Sequence, residues 1–215
     1  MTILKRAGSV LVTSVALAGV VGLSAGSAVA ATNAAVAATW TVKPGGSITA
    51  KAGKTTLKDT KTGTVLTCKS STGKGTVKKG SGLSGSGIGS ITSMTFSTCT
   101  GPLSLTFTVK TSHLPWKLNA VSYKSGVTTG TITGIHATLS GPGCTATVDG
   151  TGATKNNGMV KATYTNSTGK LTTLTTGGNL HVYNVSGCAG LINSGDASTF
   201  SGSYAITPKQ TITSP

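Results

Sequence analysis

The sequence contains no glutamate, and its only side-chain carboxylates are Asp59, Asp149 and Asp196. Its one arginine is Arg6, and Phe, Trp and Tyr together make up 4% of the chain. Each shortage excludes something. General acid–base chemistry needs titratable groups that converge in a pocket, and a glycosidase-like pair would have to come from two of those three aspartates. All three sit in turn-forming contexts (KDTKTG, VDGTG and SGDAS), where a carboxylate ordinarily caps its own turn. Nucleic-acid readers use the planar fork of arginine beside stacking aromatics. A chain with one arginine and few aromatics is not expected to take nucleic acid as a partner.

The remaining catalytic equipment is equally thin. A Ser-His-Asp set could draw on His181 and Asp196, but no Gly-x-Ser-x-Gly elbow leads from a strand into a helix. Ser84 and Ser86 lie in GSGLSGSGIG, residues 80–89, without such a context. That glycine-rich stretch reads as the most flexible part of the chain, and no amphipathic helix follows it to make a phosphate loop. His113, His136 and His181 show no His-x-His or His-Glu spacing, and the cysteines are too far apart for a zinc site. No catalytic residue, metal ligand or cofactor is assigned on this basis, and a non-enzymatic protein is expected.

The chain begins with Lys5 and Arg6, followed by an apolar run from Ala7 to Leu23 and the small-residue sites Ala28-Val29-Ala30 and Ala35-Val36-Ala37. This pattern predicts a secretory signal over residues 1–30, with cleavage after residue 37 as the alternative, and a single all-β domain over 38–215. No later apolar stretch approaches the roughly 20 residues that a transmembrane helix needs. An exported chain with four cysteines is expected to form two disulfides. Sequential pairing, Cys68 with Cys99 and Cys144 with Cys188, is favoured because each pair brackets consecutive strands. Loops of that size are worth about 4 kcal/mol each in the chain-entropy model.

Beyond the signal, 16 lysines face three aspartates, a net charge of +13. Four of them, Lys69, Lys74, Lys78 and Lys79, crowd the segment 69–79, which reads as a basic hairpin. The expected partner is an anionic cell-envelope polymer, with Lys74, Lys78 and Lys79 as candidate binding residues. Lysine as a solvated guard of strand edges is the competing explanation. Trp116 and Tyr123 are candidates for stacking on an apolar or sugar ligand, against the more ordinary role of such rings as core.

Short alternating runs fill the rest. Leu103, Leu105, Phe107 and Val109 share one face of a half-buried strand, Trp116 to Tyr123 forms another, and residues 90–98 read as a strand with a bulge. From Cys144 to Cys188 the chain reads as a β-meander turning at Asn157-Gly158, suited to a type I′ corner, and at Gly177-Gly178. The Cys-x-Gly steps at Cys99 and Cys188 suggest two stapled halves, each supplying one sheet. Together these predict a disulfide-stapled antiparallel β-sandwich, with a flattened barrel as the alternative.

The segment Ala38-Thr39-Trp40-Thr41-Val42-Lys43-Pro44-Gly45-Gly46, together with Gly187-Cys188-Ala189-Gly190-Leu191-Ile192 and Gly195-Asp196, resembles the ends of uncharacterised secreted proteins common in actinobacteria. The resemblance implies export and a stapled β fold, and no activity. A looser likeness is to the apoprotein carriers of enediyne antibiotics, which are secreted β-sandwiches with two disulfides. This chain is longer and strongly basic, and its cysteine pairs close longer loops. A small-molecule carrier with a cleft between sheets is therefore one alternative function. A self-associating matrix protein, suggested by the threonine-rich runs GVTTGTITG and KLTTLTT, is the other.

Overall fold

Threonine, valine, serine and isoleucine dominate the runs between glycines, and β-branched side chains favour the pleated backbone over the helix. The computed structural model describes residues 39–215, which fall within one compact unit. The secretory signal expected over 1–30 or 1–37 lies outside the described residues. Among those residues there is no α-helix, only a 3₁₀ turn at Pro102–Ser104, and no helix is long and apolar enough to cross a membrane.

The strands are, in order, β1 (Thr39–Lys43), β2 (Gly46–Ala52), β3 (Thr55–Asp59), β4 (Val65–Val77), β5 (Gly80–Ser84), β6 (Gly89–Thr100), β7 (Thr106–Ser112) and β8 (Trp116–Lys124). They continue as β9 (Val127–Gly141), β10 (Cys144–Asp149), β11 (Gly158–Thr165), β12 (Lys170–Thr173), β13 (His181–Ser186), β14 (Ser198–Ser201), β15 (Ser203–Thr207) and β16 (Thr211–Thr213). All pairings are antiparallel. Following hydrogen-bonded neighbours, β4 leads to β2, β15, β12, β11, β9, β8 and β6, and β6 pairs again with β4. These eight strands close a ring. The three-stranded sheet β16-β1-β5 stands beside it, and β7, β10 and β13 extend from the far half of β9. The fold is thus the expected all-β, disulfide-stapled antiparallel structure, sandwich-like and closed by strand pairing.

Both disulfides pair as expected, Cys68 with Cys99 and Cys144 with Cys188. The first rivets directly opposed residues of β4 and β6, the pair that closes the ring. The bulge expected in residues 90–98 is present: the β4–β6 register shifts between Lys74 and Gly75, leaving Thr92 without a partner. The Ser125-Gly126 corner joins β8 to β9 with both residues at positive φ, 48° and 84°, as a type I′ turn requires.

Several local expectations are corrected. The two halves do not form separate sheets, because β2 pairs with β15 and β3 with β14, so late strands complete the early ones. The Cys144–Cys188 stretch is not a meander. Asn157-Gly158 joins β10 to β11, yet both of these pair with β9, and neither pairs with the other. Gly177-Gly178 likewise joins β12 and β13, which are not neighbours. Lys69 and Lys74 lie on the long strand β4, not on a hairpin tip, and Lys78 and Lys79 follow it. The glycine-rich 80–89 stretch is partly ordered as β5 against β1. Leu103 stands at φ 56° in the 3₁₀ turn with 89% of its surface exposed, so the alternation predicted from Leu103 is inward only from Phe107 on.

With few aromatics available, the core buries four outright and packs Phe96, Phe107, Tyr123 and Phe200 half-buried against them. Trp40, Trp116, Tyr164 and Tyr204 join Val42, Ile132, Leu139, Val160 and Val182 in one apolar cluster. Trp116 donates its indole N–H to the Ser112 carbonyl at 3.1 Å. Buried Gln210 ties the C-terminal segment in: its Oε1 accepts from Gly45 N–H, its backbone N–H donates to Tyr164 Oη at 2.8 Å, and that hydroxyl donates back to its carbonyl.

Candidate functional site

Exposure separates the charged residues by sign. All 16 lysines from Lys43 to Lys209 are exposed, whereas Asp59, Asp149 and Asp196 are 3%, 0% and 5% exposed. Each aspartate accepts hydrogen bonds within its own loop, as the turn contexts predict, and Asp196 also reaches Lys61 on another. Asp59 Oδ1 accepts from the Lys61 and Thr62 N–H groups. Asp149 accepts from the N–H groups of Gly150, Asn156 and Asn157. Asp196 Oδ2 accepts from the backbone and side chain of Asn193, while Oδ1 lies 3.3 Å from Lys61 Nζ. Burial opposes ionisation of Asp196, but the Asn193 hydrogen bonds and then Lys61 outweigh it and hold this carboxyl below its ordinary range. The Lys61–Asp196 contact is the one salt bridge among the described residues. The exposed ionisable surface of these residues is otherwise cationic, apart from the histidines and tyrosines.

The ring arranges part of this charge. A single cross-strand rank passes from Lys124 on β8 through Val127, Thr165, Lys170, Ala205, Lys51 and Thr72 to Thr95 on β6. Directly opposed residues project from the same face, so Lys51 and Lys170 flank Ala205 two strand spacings, roughly 10 Å, apart. Lys74 lies two residues beyond Thr72, diagonal to Lys51. Hydroxyls stand beside them: Thr49 opposes Lys74, which opposes Ser93. The outer face of the ring is therefore a lattice of ammonium and hydroxyl donors.

Of the sequence-predicted binding residues, Lys74, Lys78 and Lys79 are exposed, Trp116 is 5% exposed and belongs to the core, and Tyr123 is half-buried against it. The structure does not bring the two aromatic rings to the lysine lattice. Lys51, Lys124 and Lys170 join Lys74 instead. Strand alternation alone could have placed them outside, but only the long-range register puts them on one rank.

The interior holds two adjoining apolar cavities that share Ile48, Ala50, Ile91, Ile132 and Leu171 in their walls, of about 100 Å³ and about 90 Å³. Trp116 lines the larger. Neither approaches the 300–1,000 Å³ typical of drug-sized ligand sites.

Among the described residues, His181 and Asp196 are each engaged by other groups. His181 Nδ1 lies 2.8 Å from the Asn179 carbonyl and 3.1 Å from that of Gly150, while the Asp196 carboxylate is engaged by Asn193 and Lys61. No group of three or more His, Cys, Asp or Glu converges among the described residues. The fold does bring His113 and His136 together, 23 positions apart in the chain, with ring centroids separated by 4.5 Å. No sequence spacing announces that pair. No family model, curated protein or solved structure matches this chain, so its site is read from its own geometry.

Proposed function

We propose that this is a secreted, non-enzymatic β-protein that binds an anionic polymer of the cell envelope through the lysine and hydroxyl lattice on its strand ring. The observation that carries this reading is the sorting of charge: 16 lysines are exposed, whereas the three aspartates are buried, and only Asp196 meets one of those lysines, Lys61. Exposed ammonium groups spaced along a rigid sheet attract a polyanion at long range, and the threonine and serine hydroxyls between them can donate to its oxygens. The two disulfides fit an oxidising, extracytoplasmic compartment.

Two observations weigh against the alternatives. The interior cavities are too small for a multi-ring ligand, which disfavours the carrier. The threonine-rich runs 126–134 and 170–176 supply β9 and β12, and each of these strands is paired on both sides within the ring. They offer no free edge for self-association.

The test is binding to purified cell wall, intact or stripped of its anionic polymer, across a salt series. Binding should be strong to intact wall, fall steeply as salt rises, and be lost on stripped wall. A Lys51→Gln/Lys74→Gln/Lys170→Gln variant should bind at least tenfold more weakly than a control carrying Lys61→Gln, Lys155→Gln and Lys209→Gln. Binding insensitive to salt, or equal in the two variants, would overturn the reading.

A further inference from the structure

The pair formed by His113 and His136 has a geometry that core packing alone does not require. Ser112 is the last residue of β7 and directly opposes His136 on β9. Its Oγ lies 2.7 Å from His136 Nδ1 and 3.3 Å from His113 Nδ1, so both ring nitrogens converge on one oxygen. The His113 ring meets the His136 ring edge-on, at an interplanar angle of 77°. His113 sits at φ 55°, in the left-handed region that non-glycine residues rarely adopt. That backbone conformation accompanies the return of its ring onto His136, and strain of this kind persists where surrounding structure supports it, often at ligand sites. His136 is 9% exposed and fixed within β9, whereas His113 is exposed and leaves the site open to solvent.

Neutral imidazole nitrogen is a preferred ligand for late first-row divalent metals, with bonds of about 2.0–2.1 Å for zinc. Two imidazole nitrogens already converge on one hydroxyl oxygen, and rotation of the rings would let all three donors share a metal ion. Two nitrogens with oxygen donors, the remaining positions left to water, form a tetragonal N,O set, and this set suits copper(II) first and nickel(II) next. We propose that His113 Nδ1 and His136 Nδ1, with Ser112 Oγ, form a mononuclear copper(II) site at the end of β7. Binding requires the tautomer that carries the proton on Nε2 of each ring. The site is independent of the lysine lattice: none of its three residues belongs to the rank, and its ligands are neutral.

The test is titration of the secreted, disulfide-bonded protein with copper(II) alone, in a buffer that does not chelate it, read by calorimetry and electron paramagnetic resonance. One copper per chain should bind, with superhyperfine splitting from two imidazole nitrogens. His113→Asn keeps a residue that tolerates positive φ and should weaken binding at least tenfold. His136→Gln should do the same, with a thermal melt to confirm folding. His181→Ala should change nothing. No tight equivalent in the native protein, or binding and spectrum unaltered in the folded His113→Asn variant, would overturn the proposal. If the His181→Ala variant alone loses the metal, the site lies elsewhere and the proposal fails.

Discussion

Asp149 holds the 150–157 loop closed by accepting three backbone N–H groups, and no part of its surface is exposed. Asp149→Ala would leave those donors without their charged acceptor. Each hydrogen bond to a buried charge is worth about 1.5–3 kcal/mol, and solvent can recover part of the loss at the exposed end of the loop, so a net destabilisation of about 3 kcal/mol is expected in urea titration. Tyr204 poses the opposite problem, a group that must stay neutral. Burial pushes its phenol up to about 12, against the lesser opposing effect of the hydrogen bond from Ser71. In the unfolded chain it ionises near 10. Its contribution is therefore complete below pH 10 and is lost as pH rises from 10 through 12, because the unfolded state releases a proton that the folded state keeps. By pH 11 the loss amounts to about 1 kcal/mol. The informative quantity is a difference between a variant and the native protein. Tyr204→Phe should cost a constant amount at pH 8 and close part of the gap to the native protein at pH 11, measured by urea midpoints. A gap that stays constant with pH would refute the assignment.

At the scale of elements, two glycines face the places where the ring adjusts its register. Gly75 stands beside the bulge at Thr92 on β6, and Gly130 opposes Ala120 just before the shift between Ala120 and Ser122 on β8. A Cβ on Gly130 would lie 2.0 Å from the Asn119 carbonyl oxygen, and one on Gly75 2.1 Å from that of Ser90. Rigid backbone cannot yield at these distances, so Gly130→Ala should destabilise by about 3 kcal/mol or more, whereas Gly53→Ala, which meets nothing within 4 Å, should change the urea midpoint little. The strands themselves were legible in the sequence because alternation is local: β7 from Phe107 and β8 stand where the pattern puts them. The disulfide pairing was legible for the same reason, since each cysteine pair brackets a run of strands. Crossovers were not. Asn157-Gly158 has hairpin chemistry, yet Asp149 ties the preceding loop into a different path and β9 recruits both flanking strands. At the candidate site, the sequence showed that lysine would dominate and that the aspartates would cap turns. It could not show that Lys51, Lys124 and Lys170 share one rank, or that His113 meets His136, because both depend on pairings between distant strands. Trp116 was drawn inward because a chain this poor in aromatics spends them on its core.

At the scale of the whole molecule, the charge that the proposed binding would use acts against stability. Sixteen exposed lysines with one partnered carboxylate repel one another across a closed ring, and a large net charge destabilises the compact state. The free protein should therefore grow more stable as salt screens that repulsion. Raising sodium chloride from about 10 mM to about 300 mM shortens the screening length from roughly 30 Å to under 10 Å, less than the reach of the lysine rank. If about 1 kcal/mol of repulsion is removed, Tm should rise by about 2–4 °C for a chain of this size. A soluble polyanion such as polyphosphate should also raise Tm at low salt, by binding the folded lattice in preference to the unfolded chain. Because screening also weakens that attraction, the increment due to polyanion should shrink as salt rises while the baseline climbs, and the two curves should converge. The Lys51→Gln/Lys74→Gln/Lys170→Gln variant should start from a higher low-salt Tm than the native protein and gain less from polyphosphate. Calorimetric scans on both proteins across the salt series measure all of these quantities together. A native Tm independent of salt, or a polyphosphate gain that persists undiminished at high salt, would show that exposed lysine repulsion is not what this surface stores for its partner.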